Sequence, residues 1–230
     1  MFKVLITSGA TRERIDGVRF ISNFSSGKTG ANLAGAFTKK GIEVYYLHGT
    51  VAAVPVEELK KYEFSDFNSL NMLLMKLLKE NSFDAIIHAA AVSDYSIKEI
   101  IADDKSYLPA TTNKLNSNLE EVCIKLKRNY KIINFLRTYA KPNPSNINPC
   151  IIAFKLTNTT STAEKNDAIE RLFLDSDVDY VVHNDINEIN LDDERTFYIY
   201  DKNKKIASCY SRNDLSTYLV KLISGKEECL

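Results

Sequence analysis

The sequence predicts an α/β protein, a mostly parallel β-sheet with helices on both faces, closed by a C-terminal β-hairpin. Three observations lead there. Short β-rich runs such as Lys3-Val4-Leu5-Ile6-Thr7 read as strands buried on both sides. Apolar residues at helical spacing lie between them, as in Leu70, Leu73, Leu74, Leu77 and Leu78. Strand and helix then alternate along the chain, which a parallel sheet with crossover helices satisfies.

Each element follows in order. The first strand runs into Ser8-Gly9, and a polar stretch continues to Ser25-Ser26. A helix carrying Ala31, Leu33, Ala34 and Phe37 follows, with a serine cap, a basic last turn at Lys39-Lys40 and a terminal Gly41. Glu43–Leu47 is a strand, Phe67–Lys79 a helix and Asp84–His88 a strand. The alternation resumes with a strand at Val122–Leu126, a helix near Tyr130–Tyr139 and a strand at Cys150–Phe154. A helix over Ala163–Phe173 and a strand at Asp179–Val182 come next. Thr196–Tyr200 and Lys205–Ser208 form the hairpin, and an amphipathic helix spans about Asn213 to Ile223. Ser96–Asn118 is the least regular segment, long and polar enough to act as a mobile flap. The alternation continues across the Lys141–Ser145 loop, so residues 1–230 read as one domain.

Composition narrows the function classes. Lysine plus arginine and aspartate plus glutamate balance at 30 each, so no net charge draws the chain to nucleic acid or an anionic membrane. No apolar run reaches the roughly 18 residues of a membrane span. Met1-Phe2-Lys3 enters a strand at once, which leads to a cytoplasmic expectation. Cys123, Cys150, Cys209 and Cys229 are scattered with no C-x-x-C pair, so reduced thiols are expected rather than a disulfide framework or a zinc site.

Chemistry-bearing segments cluster after strands. Thr7-Ser8-Gly9-Ala10-Thr11-Arg12-Glu13 follows the first strand, where open α/β sheets bind ligands; a plain tight turn explains it equally well. Gly27-Lys28-Thr29 imitates the end of a phosphate-binding P-loop, but Ser22 stands at its first glycine and the strand lies too far upstream. What survives is a helix N-terminus with serine hydroxyls, either an anion cradle or an ordinary helix start. His88-Ala89-Ala90-Ala91-Val92-Ser93-Asp94-Tyr95 ends the third strand. Its alanines leave room for a ring or ribose, and Asp94 can accept from hydroxyls, although small residues there also serve packing. His88 reads as a core histidine. Phe154-Lys155-Leu156 is unusual in placing a lysine at the end of a buried-looking strand.

Taken in order, these segments resemble the phosphopantothenate–cysteine ligases. The resemblance rests on Gly9-Ala10-Thr11, Ile15-Asp16-x-Val18-Arg19-x-Ile21-x-Asn23-x-Ser25-Ser26-Gly27, Ala90–Tyr95, Lys114-Leu115-x-Ser117, Phe154-Lys155-Leu156 and Asn184-Asp185. It covers nearly the whole chain. It implies a Rossmann-like fold, a homodimer, and the joining of cysteine to 4′-phosphopantothenate on the route to coenzyme A. Bacterial members use CTP through an acyl-cytidylate, animal members favour ATP, and Mg²⁺ accompanies the nucleotide, with no dedicated metal ligands expected. Many bacterial forms are fused to a flavin-dependent decarboxylase, and this sequence resembles the free-standing bacterial type.

The resemblance also assigns residues. Arg19, Asn23 and Ala91 are expected to meet the phosphopantothenate or its acyl intermediate. Ala89, Ala90 and Asp94 are expected to line the nucleotide site beneath Phe154, with Lys127, Arg128, Asn129 and Arg171 among its contacts. Lys114 on the flap is expected to reach the triphosphate, and Asn23 and Lys114 carry the catalytic roles. Departures are visible. Ala10 replaces a common glycine, Leu115-Asn116-Ser117 replaces a lysine run, and Asp175 falls near an expected second basic residue. The alternative is a nicotinamide-dependent reductase, which shares the coarse architecture. Against it, the Gly9-Ala10-Thr11-Arg12 turn lacks G-x-G-x-x-G, and Tyr130 is followed by Asn134 rather than by the lysine of a Tyr-x-x-x-Lys pair.

Overall fold

The computed structural model describes residues 2–103, 105–109, 113–190 and 195–225. Strand β1 (Lys3–Ser8) is followed by a small antiparallel hairpin, β2 (Arg12–Arg14) with β3 (Phe20–Ser22), before α1 (Lys28–Lys39) begins. Then come β4 (Glu43–Gly49), β5 (Lys60–Phe64), α2 (Phe67–Glu80) and β6 (Ala85–His88). Strands β7 (Tyr95–Ala102), β8 (Lys105–Tyr107) and β9 (Cys123–Arg128) form an antiparallel sheet of their own, with β7 in the middle. A 3₁₀ turn at Ile132–Phe135 enters the single-turn α3 (Leu136–Tyr139). The chain closes with β10 (Cys150–Thr157), α4 (Thr162–Asp175), β11 (Tyr180–Asp185), β12 (Phe197–Tyr200), β13 (Lys205–Cys209) and α5 (Arg212–Ser224).

The main sheet runs β13-β12-β11-β10-β6-β1-β4-β5, parallel from β5 to β11 and antiparallel at β12 and β13. Strand β1 pairs with β4 on one side and β6 on the other. The winding therefore reverses between β1 and β6, where such sheets open a crevice at the carboxyl ends of their strands.

The pleat sorts side chains by parity. Val4 and Ile6 join the core under α1 and α5, while Leu5 joins the core under α2, α3 and α4. Leu33 and Phe37 of α1 and Leu215 and Leu219 of α5 are fully buried on the first face. On the second, Leu70, Leu74 and Leu78 of α2 are fully buried too. Each such side chain contributes about 1.5–3 kcal/mol. Rim pairs such as Lys3–Glu43 at 3.6 Å contribute under about 1 kcal/mol, so apolar burial holds the layers together. Asp66 caps α2 by accepting from Ser69 N–H at 2.8 Å, and Ser69 Oγ in turn accepts from Asp66 N–H at 3.0 Å.

Several expectations need correction. Ser96–Asn118 is not one irregular flap: most of β7 and all of β8 lie within it, and its described residues after Tyr107 form no strand or helix, while 104 and 110–112 lie outside the described residues. The Val122–Leu126 strand appears as β9, but it pairs antiparallel with β7 outside the main sheet. The helix expected over Tyr130–Tyr139 is a 3₁₀ turn plus one α turn, which buries only Ile132 and Leu136 fully. Helix α1 has no serine side-chain cap; Gly27 sits at its start with φ of 73°. Strand β5 and the β2–β3 hairpin were not expected. The first is a charged edge strand and the second has only three residues in each arm. Cys229 lies outside the described residues.

Candidate functional site

Two turns that are 80 residues apart in sequence are joined above the β1–β6 crevice. Gly9 O accepts from Ala91 N–H at 2.7 Å, and Thr11 N–H donates to Ala91 O at 3.2 Å. Thr7 Oγ1 accepts from Ala90 N–H at 3.2 Å and Thr11 Oγ1 from Ser93 N–H at 2.9 Å. The small residues allow this approach. A side chain on Gly9, at φ of 82°, would meet Ala52 Cβ at 2.5 Å and Gly49 N at 3.2 Å. Thr7 Oγ1 also lies 2.9 Å from His88 Nδ1. Besides accepting from Ala90, Thr7 Oγ1 keeps a second lone pair and its own proton, so it can serve Nδ1 in either tautomer of the ring.

Beside this seam is a cavity of about 400 Å³. Its walls come from the end of β6 (His88, Ala90, Asp94), from Tyr130 to Asn134, from Phe154 and Lys155 of β10, and from one face of α4. That face carries Asp167, Arg171 and Asp175. Asp94 is paired with Lys131, and Asp167 with Arg171 at 3.1 Å. Asn129 fixes the rim, donating from its main chain to Asp94 O at 2.8 Å and from Nδ2 to Ser93 O at 3.1 Å. Behind the cavity, Asp185 is fully buried and ties the β10–α4 loop to β11. It accepts from Thr157 Oγ1, from Thr159 N–H at 3.2 Å and from Asn187 N–H at 2.9 Å. Burial alone would raise this carboxyl, but those hydrogen bonds hold it well below the usual carboxylate range.

A second locus lies on the β2–β3 hairpin. Asp16, buried at its tip, accepts from Arg19 Nε at 2.9 Å, Val18 N–H at 2.9 Å and Arg19 N–H at 2.8 Å. It also accepts from Leu115 N–H at 3.1 Å. The Arg19 guanidinium holds its carboxyl well below the usual range. Gly17 N–H donates to Asn113 O at 3.3 Å, so both neighbours of Lys114 are anchored to the hairpin that carries Arg19. Glu13 reaches the other way, accepting from Phe67 N–H at 3.0 Å and Ser96 Oγ at 2.9 Å.

Of the residues singled out from the sequence, Ala90, Asp94, Phe154 and Arg171 meet in the cavity wall. Asn129 supports that wall from behind. Ala89 sits in the seam, donating to Thr7 O at 3.1 Å, and Ala91 pairs with Ala10. Lys127 and Arg128 lie exposed on β9, paired with Ser96 and Tyr95, and do not line the cavity. Asn23 touches the rim from outside, its Nδ2 donating to Val92 O at 3.3 Å. Arg19 and Lys114 stand apart from the cavity, joined through Asp16. Sequence reasoning missed Lys131, Asn134 and Ser176 as wall residues, and it noted Lys155 only as unusual. The sole signal for Lys131 was its position two residues after Lys127-Arg128-Asn129. Among the described residues no group of three or more His, Cys, Asp or Glu side chains is placed to hold a metal ion, and no helix is long and apolar enough to cross a membrane.

Sheet order, seam and cavity define a Rossmann-like α/β protein with a candidate site over the ends of β6 and β10, beside the reversal point of the sheet. The chain belongs to the family described as the DNA/pantothenate metabolism flavoprotein C-terminal domain, which matches residues 2–225. It is 32% identical over 223 residues to the coenzyme A biosynthesis bifunctional protein CoaBC of Methanocaldococcus jannaschii, across 96% of this chain and 50% of that protein. The Haemophilus influenzae protein of the same name is 28% identical over 223 residues, 94% of this chain and 50% of its own length. The chain thus spans about half the length of these curated relatives. Among solved structures, the DNA/pantothenate metabolism flavoprotein from Streptococcus pneumoniae superposes with a TM-score of 0.83 at 24% identity, covering 98% of this chain and 99% of that one. The Cab2 H337A mutant in complex with phosphopantothenate-cysteine gives 0.65 at 18% identity, over 96% and 85% of the two chains. Both likenesses establish the fold.

The buried histidine at the seam has a measurable consequence. Burial pushes His88 down to about 4 from its usual 6.5. The unfolded chain takes up a proton there below pH 6.5, whereas the folded protein does so only near pH 4. His88 therefore contributes stability that is complete above pH 6.5 and is lost as pH falls toward 4, on the order of 3 kcal/mol. Urea unfolding of the wild type and His88→Gln between pH 7.5 and 4 reads this directly. The wild type should lose about 3 kcal/mol more than the variant over that window; equal losses would show that the ring is protonated in the fold.

Proposed function

We propose that the protein is a phosphopantothenate–cysteine ligase of coenzyme A biosynthesis, with residues 1–230 acting as one nucleotide-binding domain. The observation that carries this reading is the meeting of Ala90, Asp94, Phe154 and Arg171, from three separate segments, in one cavity beside the reversal of the sheet. Family membership and the names of the relatives, of whose length the chain spans about half, support it. The reductase alternative loses support. A dinucleotide-binding turn feeds directly into its helix, whereas here the β2–β3 hairpin intervenes between β1 and α1.

The chemistry follows from what a carboxylate lacks. It carries no leaving group, so an amine cannot displace its oxygen at neutral pH. In the first step a phosphopantothenate carboxylate oxygen bonds to the α-phosphorus of CTP, and the bond from that phosphorus to the β-phosphate bridge breaks, releasing diphosphate. In the second the cysteine amine bonds to the acyl carbon, the acyl–oxygen bond breaks and CMP leaves. The amine proton passes to solvent.

Asp94 receives the ribose hydroxyls and Phe154 covers the base. The Lys114 ammonium meets charge on the departing phosphates, and the Asn23 amide stabilises the acyl oxyanion. Each well-placed donor contributes roughly 3–4 kcal/mol to its transition state. Mg²⁺ would be held mainly by the nucleotide's phosphates and by water and would supply positive charge to the departing diphosphate; of the cavity carboxylates, Asp94 and Asp167 are already paired with cations. CTP is preferred to ATP, a preference taken from the resemblance to bacterial ligases. The scattered cysteines, with Cys123, Cys150 and Cys209 unpaired, suit a cytoplasmic location.

The test is diphosphate release. With CTP, phosphopantothenate and cysteine the protein should release diphosphate and form the amide, faster than with ATP. No release with either nucleotide would refute the ligase reading. The two half-reactions then separate by quenching without cysteine and weighing the products. Lys114→Gln should form little acyl-cytidylate. Asn23→Asp should form it yet turn over about 100- to 1000-fold more slowly when cysteine is added. A folded Asn23→Asp that forms no acyl-cytidylate would remove Asn23 from the second step.

The enzyme also works as a homodimer in this proposal. Asn23 and Arg19 lie on a hairpin outside the cavity, and the same segment exposes Val18, Phe20, Ile21 and Phe24. That apolar patch suits a second copy of the chain, whose cavity the hairpin would complete. Sedimentation equilibrium at assay concentration should give the dimer mass, and a fully active monomer would contradict it.

A further inference from the structure

The cavity contains a charge arrangement that the resemblance does not provide. Helix α4 offers it Asp167, Arg171 and Asp175, each four residues from the next, so a guanidinium sits between two carboxylates on one face. Asp167 already engages Arg171 at 3.1 Å. Two negative charges against one positive make a poor wall for a triphosphate, whose own charge is strongly negative. Beyond Lys114, already assigned to the departing phosphates, the wall itself adds two lysines, Lys131 and Lys155, of which Lys131 is the one paired with Asp94.

Lys131 stands across the cavity, and its placement is built rather than incidental. Asn129 pins the main chain of Ser93 and Asp94 with hydrogen bonds of 3.1 and 2.8 Å. Tyr130 packs edge-on between Phe67 and Phe135, with ring centroids 5.1 Å apart in each case, and Ile132 is buried. The residue between them is therefore carried on a loop anchored at both sides. Its ammonium meets the Asp94 carboxylate, although both side chains remain more than half exposed to the cavity.

We propose that Lys131 supplies the phosphate-binding charge that α4 lacks here, and that Asp94 holds it until a ribose takes up the carboxylate. The inference rests on reading this cavity as the nucleotide site. In the empty cavity the pair neutralises itself. When the ribose hydroxyls donate to Asp94, Lys131 turns to the phosphates, where a lysine acts as a mobile point charge. One side chain thereby couples recognition of the sugar to recognition of the phosphates.

Calorimetric titration with CTP, cytidine and inorganic tripolyphosphate tests this. Lys131→Met should weaken CTP roughly 10- to 100-fold, the loss of one charge-assisted contact, and leave cytidine within about twofold. Lys131→Arg should restore most CTP affinity. Asp94→Asn should act oppositely on the two ligand parts, weakening cytidine while strengthening tripolyphosphate, because the ammonium is then released. A purely structural role could not produce that change of sign. Equal binding of CTP by wild type and Lys131→Met overturns the inference and leaves the ligase reading intact. So does an equal loss of CTP and cytidine. A wild type that binds tripolyphosphate through Lys131 but no nucleotide overturns the ligase reading and upholds the phosphate role. Thermal melts of each variant confirm folding, and Lys131→Arg answers the question if Lys131→Met does not fold.

Discussion

The seam between the first turn and the end of β6 is the constraint on which the site depends. Backbone bonds join Gly9 and Thr11 to Ala91, and the hydroxyls of Thr7 and Thr11 accept from Ala90 and Ser93. The turn after β1 can therefore neither enter a helix directly nor lie flat on the sheet. It runs beside the extension of β6, with Ala10 paired parallel to Ala91, and the β2–β3 hairpin then turns toward the start of α2, Arg12 N–H donating to Ser65 O at 2.7 Å. Alanine at positions 89 to 91 leaves the space that this pairing needs. Larger side chains would separate the two turns.

Two buried carboxylates then hold the loops that hang from the seam. Glu13 ties the hairpin to the start of α2 and to β7. Asp16 closes the hairpin tip and links it to the segment around Lys114. Leaving a buried group without its hydrogen-bond partners costs about 1–3 kcal/mol, and more for a charged group, a large share of a domain's net stability. The two residues assigned to phosphopantothenate and triphosphate, Arg19 and Lys114, are thus held relative to each other by a single carboxylate. Their separation from the cavity within one chain is what the proposed dimer resolves.

The main sheet was legible because its strands are buried on both faces and read as unbroken apolar runs: Val4–Ile6, Ala85–Ile87 and Ile151–Ala153 show it. Of the β7–β9 sheet only β9 was read as a strand, because the sheet turns Lys98, Lys125, Lys127 and Arg128 to solvent and so resembles a polar loop. Helix α1 was found but its start was misread, since Gly27 in the left-handed region replaces a serine cap. Within the cavity, Ala90 and Asp94 were read from the small residues and the carboxylate after β6 as well as from the resemblance, and the roles of Phe154 and Arg171 from the resemblance alone. Asp16 was quoted only as part of a motif, because the partner that explains it, Leu115, lies 99 residues away. Lys131 was hidden inside a segment that read as a helix and folds as a 3₁₀ turn.

The same sheet offers a nucleotide two places to put its phosphates. One is the cavity, where Asp94, Lys131 and Arg171 converge. The other is the start of α1, where Ser26, Gly27 and Lys28 imitate a P-loop. The crystal structure of the protein with CTP decides between them. The cavity reading predicts the base beneath Phe154, the ribose on Asp94 and the phosphates between Lys131 and Arg171. Phosphates seated on the N–H groups of α1, with Asp94 still bound to Lys131, would contradict it.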